Sequence, residues 1–155
     1  MTWDNERVAR AALTTVVQPG DSVTARRLLD MTAEEMWHRL LTDVDERWYE
    51  RARGTDVDQV VARSEKAMMR FLIPGDEEWP VGLDDLSWVG KSGMGGVPIG
   101  LWVLGPTRVN EASERSVAIV GCRAATSYGQ DVAMEMAHHL AQGHSDGTGR
   151  QDRKS

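Results

Sequence analysis

The stretch Val117-Ala-Ile-Val-Gly-Cys-Arg-Ala-Ala-Thr-Ser-Tyr-Gly129 decides how this chain is read. A β-branched apolar run over 117–120 ends at Gly121. Ser127, with Gln130 three residues on, then fits a capping box that opens an amphipathic helix carrying Val132, Ala133, Met136, Ala137 and Leu140. Strand, glycine turn and capped helix make the opening βα unit of a doubly wound sheet, where unpaired N–H groups at the helix start favour an anion. Gly121 lets the backbone come close to a phosphate, and Arg123 adds a two-pronged donor suited to phosphate oxygens. The spacing Gly121-x-Arg123 is neither the dinucleotide fingerprint nor a Walker loop. The competing reading is a plain strand-to-helix turn with a surface arginine.

Upstream, Leu101–Leu104 is a short apolar run closed by Gly105-Pro106 and reads as a strand. Between Pro74 and Gly100 the prolines and glycines suit irregular chain. The first 74 residues read as helical. Over 4–17, Val8, Ala11, Ala12 and Val16 form a stripe that Pro19-Gly20 stops. Asp21 or Ser22 can cap a short helix over 24–30, and Thr32 with Glu35 forms a capping box ahead of Met36, Leu40, Leu41 and Val44. Residues 56–72 carry the cleanest helical pattern: Val57, Val60, Val61, Ser64, Ala67, Met68, Phe71 and Leu72. Short connections between such helices predict a small bundle. After Leu140 no aliphatic residue larger than alanine remains, so the end of the chain is expected to be a disordered tail.

The 155 residues carry a net charge of −6, with −2 over 1–74, −4 over 75–115 and balance over 116–155. That argues against a generally basic nucleic-acid coat or an electrostatic membrane binder, but not against a local basic site. No run of about 18 apolar residues is present, and the start lacks a signal-peptide pattern, so the expected compartment is the cytoplasm. The single cysteine, Cys122, excludes an internal disulfide framework and a multi-cysteine zinc site. It precedes a helix start, which lowers a thiol pKa. A C-x5-R phosphatase would need arginine at position 128, however, where Tyr128 stands, so Cys122 reads as a small packing residue. His138 and His139 point about 100° apart on a helix and cannot share a metal. No metal site and no cofactor are expected. The six tryptophans could stack on bases, but at least four, dispersed among acids, read as packing residues.

The run from Ala118 to Gly129 resembles the start of the Rossmann-like domain of the DprA/Smf family of DNA-processing proteins, which shows G-S-R and then a T-x-Y-G helix start. Asp76-Glu-Glu-Trp-Pro80, with Leu83 and Leu86, resembles the family's D-x-x-Y/W-P-x-x-L segment. Residues 98–105 resemble its P-x-x-L-[WY]-x-x-G segment. The resemblance implies a non-enzymatic protein of natural transformation and recombination that binds single-stranded DNA and delivers it to the RecA recombinase. It places Arg123 as the phosphate-contacting arginine, Gly121 at the turn, and Thr126, Ser127, Tyr128 and Gly129 at the helix start. Cys122 replaces the usual serine.

The expected fold is therefore a mainly α N-terminal helical bundle (helix-hairpin-helix or SAM-like) followed by an incomplete α/β Rossmann-like unit. The expected divisions are a helical domain over 1–74, a linker with a short strand over 75–115, a first βα unit over 116–142 and a tail over 143–155. The family's later strands, serine-glycine-glycine turn and dimerisation surface have no counterpart, so the chain reads as a truncated, impaired member for which dimerisation is not expected. Two other readings remain: a helical protein-interaction module with a vestigial Rossmann stub, or a fragment of a nucleotide-processing Rossmann enzyme.

Overall fold

Helix α1 (Asn5–Val16) starts where Asp4 accepts the backbone N–H of Arg7, a side-chain cap at 2.8 Å. The computed structural model describes residues 2–87, 95–114, 116–122 and 124–145. Ala9, Ala11, Ala12, Leu13 and Val16 of α1 are all buried, so this helix is enclosed on more than the single stripe its sequence suggests. It packs against α3 (Ala33–Thr42), α4 (Tyr49–Arg53) and α5 (Val57–Lys66). Met36 and Leu40 of α3 and Ala52 of α4 complete the core with Leu13 and Val16. Each fully buried leucine or methionine contributes roughly 1.5–3 kcal/mol by leaving water. The short α2 (Ser22–Arg27) is capped by Asp21, and Thr32 and Glu35 form the reciprocal capping box of α3.

The expected helix over 56–72 stops early. α5 ends at Lys66, Met68 takes a left-handed φ of 52°, and Met69–Leu72 is a strand, β1. β1 pairs antiparallel with β2 (Leu101–Leu104), Phe71 opposite Trp102 and Leu72 opposite Leu101. The sheet wins because pairing seats Phe71, fully buried, against Trp102 at 4.4 Å between ring centroids, with Trp3 6.3 Å from Phe71 and 6.4 Å from Trp102. Gly100 belongs to this layer. A β-carbon there would overlap the Phe71 ring, 2.7 Å from Cε2, and lie 2.9 Å from the Leu72 carbonyl oxygen.

The first compact unit is Met1–Arg115. A 3-10 helix (Val81–Leu86) and the short α6 (Val109–Glu114) complete this unit. The result is mainly helical, with a small two-stranded antiparallel sheet.

The second unit, Ser116–Ser155, contains α7 (Ser127–Ser145). The strand expected over 116–120 is not formed: these residues join no ladder, with Val117 63% and Val120 90% exposed. A strand needs a neighbour to satisfy its backbone, and among the described residues the sheet holds only β1 and β2. The cap also differs by one residue. Thr126, not Ser127, accepts the Gly129 N–H, at 3.2 Å. α7 runs past the expected start of the tail to Ser145, and residues 146–155 lie outside the described residues.

Two outcomes follow. Gly100→Ala should lower stability by about 1–3 kcal/mol, the cost of overpacking a filled site, read as a reduced melting temperature. Amide hydrogen exchange at 117–120 should be much faster than in α1 or α3; equal protection would reveal a sheet partner for that segment.

Candidate functional site

The residues singled out around the 121–129 turn divide into two groups. Thr126, Ser127, Tyr128 and Gly129 come together in the first turn of α7, with Thr126, Ser127 and Tyr128 exposed. Gly121 and Cys122 are exposed too, and nothing lies within 4 Å of a β-carbon at Gly121. Arg123 lies outside the described residues. The opening of a 19-residue helix carries donor N–H groups and the positive end of its dipole. Thr126 takes one of these donors. An anion could approach the rest from solvent, because Tyr128 is 78% exposed beside them.

The histidines stay apart from this turn. His138 pairs with Gln142 at 2.9 Å, and His139 stands 3.9 Å from Glu135. Among the described residues no group of His, Cys, Asp or Glu is arranged to hold a metal ion. No described helix is long and apolar enough to cross a membrane.

The D-x-x-W-P segment works differently: it fastens the first unit. The guanidinium of Arg7 donates through Nη1 to Asp76 Oδ2 and to the Phe71 carbonyl, and through Nη2 to Asp76 Oδ1, each at 2.7 Å. Asp76 also accepts the Ile73 N–H at 2.8 Å. The hydrogen bond from Arg7 holds the Asp76 carboxyl below the usual carboxylate range; burial pushes the other way, and the Ile73 N–H and the Arg7 charge add to the lowering. Glu78 is lowered as well, first by its hydrogen bond from Arg70 at 2.6 Å, against desolvation and with help from the Val109 N–H.

Trp79 is 3% exposed and donates its indole N–H to Asp84 at 3.2 Å. Trp102 donates to Thr14 at 3.1 Å. These tryptophans pack, as their dispersal among acids suggests, and Trp37 and Trp48 lie against the core. Trp88 lies outside the described residues. Arg7 and Arg70 escaped sequence reasoning because no local spacing ties residue 7 to 76. The one available signal was a cation, Arg7, in the first turn of α1.

The Asp76–Pro80 turn, the β2 segment and the turn before α7 thus follow one another along the chain. Residues 70–145, which hold all three, match the family model of DNA recombination-mediator protein A. That segment, just under half of the chain, belongs to that family. The chain is 42% identical over 80 residues to the DNA processing protein DprA of Mycobacterium tuberculosis, in each of two strains, covering 47% of this chain and 20% of the relative. The chain therefore spans about a fifth of the length of the curated relatives it matches. No solved structure matches it.

The carboxylate shifts set a pH dependence. The folded-state pKa of Asp76 lies below its unfolded value, so its stabilisation is complete above about pH 4 and is lost as pH falls through the folded pKa. Asp76→Asn should cost on the order of 2 kcal/mol at neutral pH, as expected for hydrogen bonds to a charged group. It should also flatten the acid limb of a plot of melting temperature against pH. A limb as steep as that of the unaltered protein would place the acid sensitivity elsewhere.

Proposed function

We infer that the chain serves DNA recombination of the kind that accompanies transformation, as a non-catalytic binder of single-stranded DNA. The observation that carries this reading is the family match, because it spans the whole of 121–129. The exposed first turn of α7 supports it, since helix-start N–H groups and an arginine fork suit phosphate oxygens. In this reading Arg123 supplies the charge, Gly121 the close approach, and Thr126, Ser127, Tyr128 and Gly129 the donor turn. The relatives are named for DNA processing, and the family for recombination mediation. On that basis RecA is the protein partner, and no cofactor is needed. A Rossmann-like context for α7 and a SAM-like identity for the helices belong to the same proposal.

Binding should be salt-sensitive and modest. Each phosphate neutralised on a single strand adds about −0.7 to the slope of log K against log[salt]. Arg123→Ala should weaken binding severalfold and reduce that slope by about one contact, measured by fluorescence anisotropy with a labelled oligothymidylate at low and physiological salt. Cys122→Ser should leave affinity unchanged or slightly higher. Binding indifferent to Arg123→Ala would remove the 121–129 turn from the site.

A further inference from the structure

Among the described residues, α7 is the sole helix or strand of the second unit, and no residue of that unit is buried. The helix nevertheless has an apolar side. Val132, Met136 and Leu140 recur every four residues along one line, with Ala133 and Ala137 beside them. Met136 is 50% and Leu140 46% exposed. A helix of 19 residues that includes Gly129 and two adjacent histidines is marginal in water by its propensities alone. What stabilises such a helix is burial of its apolar side.

The polar groups along that side favour a second copy of the same helix. Glu135 and His139 lie on one flank of the apolar line, 3.9 Å apart, and the two alanines lie on the other. Two helices packed parallel about a two-fold axis oppose unlike flanks, which would set Glu135 and His139 against alanines. Packed antiparallel they oppose like flanks, and positions equally far from the axis meet. With the axis near Met136, Val132 of one copy meets Leu140 of the other, and the two Met136 side chains meet each other. Glu135 then comes within reach of the other copy's His139, twice, as a carboxylate facing a ring N–H donor. The antiparallel arrangement also sets the helix dipoles in opposite directions. Ala133 and Ala137 let the backbones approach, and Asp131, His138 and Gln142 stay on the outer face.

We propose that α7 is a self-association surface: two copies of this chain pair their α7 helices antiparallel, about a two-fold axis near Met136. The chain is then a dimer, in contrast to the absence of dimerisation that its sequence leads one to expect. One helix face per copy is a small contact beside the interfaces of permanent dimers, so the association is weak and depends on concentration.

Sedimentation equilibrium of the whole chain, from micromolar to near-millimolar concentration, should show a reversible equilibrium between monomer and dimer. Met136→Lys sets two charges at the axis and should weaken association by about tenfold or more. Glu135→Ala should weaken it severalfold, and His138→Ala, on the outer face, should leave it unchanged. Orientation is read by cross-linking in a Cys122→Ser background. Met136→Cys should oxidise to a linked dimer. Val132→Cys should not, because antiparallel packing sets the two copies of that residue about 12 Å apart along the helix axes. A gain of linkage at position 136 does not depend on any loss of folding. A monomer throughout the concentration range, association indifferent to Met136→Lys, or equal linkage at positions 132 and 136 would each overturn the proposal.

Discussion

The first unit depends on one guanidinium. Arg7 lies in the first turn of α1, where the helix dipole disfavours a cation, and its side chain is 11% exposed. Such a charge is tolerable only when surrounded by acceptors. Asp76 supplies two oxygens, the Phe71 carbonyl a third, and the Asp4 cap adds a nearby negative charge. The Arg7 Nε is left without a partner, a residual cost of the arrangement. Three separate pieces of chain, the first helix, the end of β1 and the turn after it, are thereby held in one register. Removing either partner strands the other away from water, which is why buried pairs cost more to break than they contribute when formed.

Above that clamp sits the aromatic layer. Phe71, Trp3 and Trp102 fill the space beside α1, and Gly100 is where the backbone passes close to the Phe71 ring. The family match begins at residue 70, inside β1, so family-matched chain is packed onto helices that lie outside the match. β1 is the seam. Its Arg70 holds Glu78 and the carbonyls of Gly105 and Thr107, and its Phe71 carbonyl holds Arg7.

What could be read from sequence follows the range of the interactions. Asp21 as a cap and the Thr32–Glu35 box are contacts between residues three apart, and both are formed as their spacing predicts. The α5–β1 boundary was hidden because Ser64, Met68, Phe71 and Leu72 keep a helical spacing; what decides it is a left-handed Met68 and a strand partner about thirty residues away. Over 116–120 the reverse holds: the residues favour a strand, but propensity forms no ladder without a neighbour. At the candidate site the helix start was legible and its capping residue was displaced by one, from Ser127 to Thr126. Arg7 and Arg70 were not legible at all, since their roles exist only after distant segments meet.

Charge shows the same dependence on range. The 75–115 segment has a net charge of −4 and, as sequence, looks like a barrier to an anionic ligand. Folded, Asp76 is neutralised by Arg7, Glu78 by Arg70 and Glu77 by Arg108. Ion pairs of this kind look nearly neutral beyond a Debye length of about 8 Å at physiological salt. Arg7 and Arg70 lie outside the middle segment, so they offset two of its four excess negative charges. Net charge of the chain thus misjudges what a phosphate would meet: the field at each surface is set by which charges the fold has already paired.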